Sequence, residues 1–293
     1  MKEVNLKKVK KVLWATDFSK ESKSCLQYIK FLNEKLNIKI YASYILPKFS
    51  DWVYETAFFS NEDIFREIEK TKIKAMKNIE TCTKRHKIDI ESIIVEGIAS
   101  EELVNIAEEK KVDMIFAGRR GISEIEEILI GSTTSRLIRS SHIPIFIVPK
   151  RRTKVNIKKI LCPIDFNDLS MFELKHSIEF AKSIDADLYV VHISEFFNYK
   201  VPIFERDKLI NSINEKIQSV AKKLKYEIKG IIYDIGEPAH KIIEISKKEK
   251  VDLIIMATHQ RKGIEKFFLG SITEKVLMYS DRPMLILPNP DNE

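Results

Sequence analysis

The chain repeats itself, and the repeat constrains its architecture before any single residue is considered. Residues 9–19 read VKKVLWATDFS and residues 157–167 read IKKILCPIDFN, so that Asp17 and Asp165 lie 148 positions apart. Farther along, VDMIFAGRR (112–120) answers VDLIIMATH (251–259), and IPIFIVP (143–149) answers RPMLILP (282–288), both pairs 139 positions apart. The parts keep one order in each half, and the first half carries nine additional residues in its middle. A length of 293 residues suits two domains of about 150 residues each. The charged, Pro-started stretch PKRRTKVN (149–156) suits the linker, which divides the chain into residues 1–150 and 151–293.

Each half alternates strand-like and helix-like segments. In the first, VLWAT is a buried strand and 19–33 a helix with Ser19 as its N-cap. IKIYASYIL follows as a strand, 61–86 as a long polar helix and SIIVEG as a strand. SEELVNIAEEKK (helix), VDMIFAG (strand), a loop, GSTTSRLIRSS (helix) and IPIFIVP (strand) complete it. The strands are near-continuous Val/Ile/Leu/Phe runs, which require cover on both faces. That is the mark of a parallel sheet in an α/β layer structure. Ligands of such sheets bind beyond the carboxyl ends of the strands, where the strand order reverses.

With 44% apolar and 32% charged residues the chain can bury a core. No apolar run approaches the roughly 20 residues of a membrane span, and the basic start has no apolar stretch suited to a signal peptide. Cys25, Cys82 and Cys162 show no metal-like spacing, so a reducing cytoplasm is the expected location. The net charge of +7 divides into +4 for residues 1–150 and +3 for residues 151–293. So even a spread points to solvated lysines rather than to a nucleic-acid footprint, and neither nucleic acid nor membrane is an expected partner.

Glycine is scarce, at eight residues, and should stand where the backbone needs it. Gly118, Gly121 and Gly131 share one loop between a strand ending at Ala117 and a helix starting near Ser132. Turning glycines and a helix N-terminus flanked by Ser132, Thr133 and Thr134 make a site for an anion such as a phosphate chain. Arg119 and Arg120 stand beside it, either adding charge or facing solvent. The same residues also suit a plain turn with Ser132 as N-cap. Asp17, at the end of the first strand, faces the same edge and suits ribose hydroxyls, or else caps the helix after Phe18.

The order strand, A-T-D-F-S (15–19), then G-x2-G-x9-G-S from Gly118 to Ser132, a helix and a Pro-led strand resembles the universal stress protein family. Two copies resemble its tandem members. The resemblance implies two doubly wound domains, each with a five-stranded parallel sheet of the adenine nucleotide alpha hydrolase-like type, and ATP, with Mg2+, at the strand ends. It further implies that Ala15 and Asp17 meet ribose or adenine, that Ile45 packs on adenine, and that Ala117 and Gly118 line the ribose–phosphate side. Gly121, Gly131, Ser132, Thr133 and Thr134 would hold phosphates. In the second half the matching loop positions are Ala257, Gln260, Gly270 and Ser271, while Asp165, Pro163, Ile193, Met256, Ile272 and Thr273 still match family positions. Two motif glycines are replaced there, so ATP is expected mainly in the first half. The family also implies pairing through the last strands: an internal pseudo-dimer of IPIFIVP with RPMLILP, and a homodimer of chains.

No P-loop, G-x-G-x-x-G, G-x-S-x-G or H-E-x-x-H occurs, and no residue pair reads as a base beside a nucleophile. A nucleotide-sensing binding module of the stress response is therefore expected rather than an enzyme. A slow ATPase or phosphotransferase and a nucleotide-free scaffold are the alternatives. Trp52, Tyr54, Phe58 and Phe59 lie in the segment that holds the insertion, and either cap the pocket or pack between domains or into the core.

Overall fold

The computed structural model describes residues 4–47, 61–120, 130–149, 155–165, 168–194, 203–258 and 270–288. The first half runs β1 (Lys11–Ala15), α1 (Lys20–Leu36), β2 (Lys39–Leu46), α2 (Asn61–His86), β3 (Glu91–Glu96), α3 (Ala99–Glu109), β4 (Met114–Gly118), α4 (Ser132–Ser140) and β5 (Ile145–Val148). The second half repeats the order with β6 (Lys159–Pro163), α5 (Asp168–Ile184), β7 (Asp187–Ser194), α6 (Ile203–Lys223), β8 (Gly230–Ile235), α7 (Pro238–Lys248), β9 (Leu253–Ala257), α8 (Ser271–Tyr279) and β10 (Met284–Leu287). The expected helix at 19–33 extends to Leu36, where Asn37 in the left-handed region (φ 51°) ends it. Part of the insertion lengthens α2 to 26 residues against 21 in α6, while Trp52, Tyr54, Phe58 and Phe59 lie outside the described residues.

All ten strands form one sheet in the order β3-β2-β1-β4-β5-β10-β9-β6-β7-β8. Strands within each half are parallel; β5 and β10 meet antiparallel, with Phe146 opposite Leu285. The last strands of the two halves thus join inside the chain. Central strands are buried along their whole length, as their unbroken apolar runs require. The terminal strands β3 and β8 are only half-buried, and Lys39–Glu91 (2.8 Å) and Lys72–Glu96 (2.9 Å) pairs border the β3 edge.

The alternating side chains feed two cores. One face packs Trp14, Phe116 and Phe146 against Leu26, Ile29 and Leu32 of α1, with Phe116 and Phe146 stacked at 4.8 Å. Full burial of each such ring contributes about 1.5–3 kcal/mol. The other face packs Leu13, Ile115 and Ile147 against Leu103 and Ile106 of α3 and Leu137 of α4. Local devices repeat with the sequence. Asp113 Oδ2 accepts from the amides of Lys10 and Lys11, and Asp252 Oδ2 accepts from those of Lys158 and Lys159. Thr134 Oγ1 donates to the Gly118 carbonyl (2.8 Å), and Thr273 Oγ1 donates to that of Ala257 (3.1 Å).

Candidate functional site

In the first half the strand order runs outward both ways from β1 and β4, so the connections leave a crevice beyond their carboxyl ends. Trp14 stands opposite Phe116 and Ala15 opposite Ser43, which sets Ser43, Ala15 and Ala117 in one row across β2, β1 and β4. Three small side chains in a row leave the sheet surface low. A cleft of about 340 Å³ opens above them. Ile45, Leu103 and Leu137 supply apolar walls, and Asp17, Arg120, Ser132 and Thr133 a polar rim. A low apolar floor with convergent polar groups at one end is the form of a small-molecule site.

The rim is built from local chain geometry. Ser19 caps α1 by accepting from the Ser22 amide (3.2 Å), and Asp17 Oδ1 accepts from the Ser19 amide (2.9 Å). The intervening Phe18 adopts φ 61°, a costly conformation for a bulky residue, and its ring stacks on Tyr44 at 5.1 Å. These contacts hold the half-buried Asp17 at the cleft. Across from it α4 begins with Gly131 as N-cap, which brings no side-chain acceptor to the first turn. The leading amides of a helix have no intrahelical partner and carry partial positive charge, so this terminus suits an anion. Arg120 stands next to it, and its buried Nε makes no hydrogen bond among the described residues. Asp17, Tyr44 and Arg120 also line an adjoining groove of about 700 Å³ with Lys20, Lys70 and Lys74 on its walls.

Of the positions singled out in the sequence, Ala15, Asp17, Ile45, Ala117, Gly118, Gly131, Ser132, Thr133 and Thr134 all line this cleft. Gly121 lies outside the described residues. Three details differ from expectation. Arg119 turns away and spans to the second half, where Nη1 donates to the carbonyls of Leu277 (3.1 Å), Met278 (3.0 Å) and Ser280 (2.8 Å) at the end of α8. Of the two arginines, Arg120 brings its charge to the cleft. Gly118 serves packing as well, because a Cβ there would stand 2.8 Å from the Ser22 amide nitrogen and 3.0 Å from the Arg120 carbonyl oxygen. The Thr134 hydroxyl is directed to the Gly118 carbonyl, so that it fastens α4 to β4.

One cleft residue escaped the sequence reading. Ser43 is 1% exposed, lines the floor, and its Oγ has no hydrogen-bond partner among the described residues. The signal was present in β2, where Tyr41, Ser43 and Ile45 share a face by alternation and Ser43 is the small polar member.

The second half keeps the frame but carries bulkier side chains on the matching row. Asp165 is exposed at the end of β6 and paired with the Ser170 hydroxyl; Ile193 is half-buried in β7; Gly270 and the exposed Ser271 open α8 without a side-chain cap. The row matching Ser43, Ala15 and Ala117 is Val191, Pro163 and Met256. Larger side chains stand at all three places, and all three are buried. Beneath them Glu173 of α5, where the first half has Cys25, is 6% exposed; its Oε2 accepts from the Ala257 amide (2.9 Å) and Cys162 Sγ lies 3.6 Å from Oε1. Burial pushes this carboxyl well above the usual carboxylate range, only partly offset by the Ala257 amide. Gln260, the other substituted position, lies outside the described residues.

Among the described residues, no group of three or more His, Cys, Asp or Glu side chains is placed to hold a metal, and no helix is long and apolar enough to cross a membrane. The universal stress protein family model matches residues 8–149 and again 156–288. A universal stress protein of Methanocaldococcus jannaschii, MJ0531, is 36% identical over 146 residues, 46% of this chain and 85% of that protein. Another, Rv1996 of Mycobacterium tuberculosis, is 21% identical over 266 residues, 82% of each chain. The crystal structure of a universal stress protein from Archaeoglobus fulgidus superposes with a TM-score of 0.75 at 18% identity, covering 95% of this chain and 98% of that one, a likeness of fold. With its repeated halves, its five parallel strands in each and two separate matches to one family model, this chain belongs to the universal stress protein family as a tandem member.

Proposed function

We propose that the first half binds an adenine nucleotide, ATP with Mg2+, in the cleft above Ser43, Ala15 and Ala117, and that the chain is a nucleotide-responsive binding module. One observation carries this reading: a low apolar floor, a helix N-terminus with no side-chain cap and an arginine whose Nε lacks a partner converge in a single cleft. In this reading Ile45 and the small floor residues receive the ring. Asp17 accepts from the ribose hydroxyls. Gly131, Ser132 and Thr133 present their amides to phosphate, and Arg120 adds charge. Residues 1–150 form the binding domain. Residues 151–293 form a domain whose matching row is bulkier and whose motif glycines are replaced at Ala257 and Gln260, so that Asp165, Ile193, Gly270 and Ser271 contribute a weaker site or none. Turnover is given no residue here, because Asp17, the carboxylate at the rim of the first-half cleft, is engaged by the Ser19 amide.

Isothermal titration of the full chain with ATP and Mg2+ tests the proposal. One site per chain is expected; two equal sites, or no heat, refute it. Phosphate release from ATP faster than about 1 per second would instead favour the phosphotransfer reading.

A further inference from the structure

We propose that Ser43 reads the base: its hydroxyl is the partner, at the floor of the cleft, for a polar edge atom of a flat heteroaromatic ring, and it sets which bases the first half prefers. The inference rests on the reading above that the cleft holds a nucleotide.

Buried hydroxyls nearby are satisfied within the protein. Thr134 bonds the Gly118 carbonyl, Thr16 and Ser22 bond each other (3.2 Å), and Ser141 bonds the Ile143 carbonyl. Ser43 is as buried as these and lines the cleft, and its Oγ has no hydrogen-bond partner among the described residues. A buried polar group without a partner costs stability, and such a group in a cleft calls for a ligand atom. The fold itself does not need this hydroxyl. Val191 occupies the matching place in β7, fully buried in the apolar core of the second half.

The surroundings decide which part of a nucleotide meets it. Ser43 is flanked by Ala15 in the neighbouring strand and by Ile45 on the same face of its own. A phosphate there would lose its hydration with only one neutral hydroxyl in return. Phosphate has better partners at the rim, in the α4 terminus and Arg120. The neutral, planar end of the ligand therefore lies deepest. A hydroxyl both donates and accepts, so Ser43 serves either an exocyclic amine or a ring nitrogen.

The test uses Ser43→Ala and Ser43→Val in the full chain, with thermal unfolding of the free protein and titration with ATP, GTP and inorganic tripolyphosphate. Unliganded Ser43→Ala is expected to melt no lower than wild type. Its ATP affinity should fall about tenfold, the loss for one hydrogen bond to a neutral group, with the ATP-to-GTP preference reduced. Tripolyphosphate, which has no base, should bind wild type and variant alike. Ser43→Val should lose ATP further, as it also raises the floor. A lower melting temperature with ATP affinity unchanged overturns the proposal, as does equal loss of ATP and tripolyphosphate. A wild-type chain that binds no nucleotide overturns the underlying reading as well, and is thereby distinguished from a failure at Ser43 alone.

Discussion

Ala117→Met carries the bulkier side chain of the second half into the first, since Met256 is the matching residue. Ala117 is 6% exposed, and its side chain faces a cleft of about 340 Å³ rather than packed atoms. In a close-packed core the longer side chain would cost about 1–3 kcal/mol through displaced neighbours. Here it extends into open volume beside Ile45 and Leu137, where each buried methylene returns about 0.8 kcal/mol. After the rotamer entropy of a methionine is subtracted, the net change in stability should fall within about 1 kcal/mol of zero. Nucleotide affinity should behave otherwise, because the ring loses the surface it lies on. A loss of at least about 100-fold, near 2.7 kcal/mol, is expected. Denaturant unfolding of the free protein and titration with ATP measure the two quantities separately. A variant destabilised by about 3 kcal/mol that still binds ATP would refute the reasoning, for it would mean that the volume above Ala117 is closed in solution and the ligand lies elsewhere.

Gly118→Ala should destabilise by about 1–3 kcal/mol in denaturant unfolding, because its Cβ would stand 2.8 Å from the Ser22 backbone nitrogen and 2.9 Å from Glu21 Cβ. Arg119→Met removes a charged cap shared by three carbonyls of the other half. It should cost about 2 kcal/mol, and amide hydrogen exchange should rise in the last turn of α8. Burial holds the Glu173 pKa in the fold well above that of the unfolded chain, where a glutamate ionises at about 4.3. Above that pH the unfolded state releases a proton that the folded state keeps, so stability falls as pH rises toward the folded value. Glu173→Gln keeps an acceptor for the Ala257 amide and removes this slope. Its stability advantage over wild type in urea should grow from pH 5 to pH 8, and a constant difference would contradict the assignment.

Much of this was legible in the sequence because it depends on periodicity and spacing. Asp17 and Gly131 reach one cleft because one ends a parallel strand and the other begins the helix after the next strand but two, and parallel order puts both at the same edge. The separate fates of Arg119 and Arg120 were not legible. They are adjacent in a loop, and only the position of α8 from the other half decides which one is drawn across. The role of Gly118 depends on how closely α1 approaches β4, which is a tertiary distance and not a pattern. The bulkier row of the second half was also legible. Aligned by strand register, Val191, Pro163 and Met256 stand against Ser43, Ala15 and Ala117, a difference in bulk more telling than the substituted glycines.

The seam between β5 and β10 is closed within one polypeptide, so its strength does not vary with dilution. Tethered partners sit at a high effective concentration. The halves should remain docked at protein levels where separate subunits would come apart. The seam also occupies the β5 and β10 edges, which are thereby closed to strand addition by another copy. The sheet then ends only at β3 and β8, so a second chain must approach through those outer strands or across the helical layers.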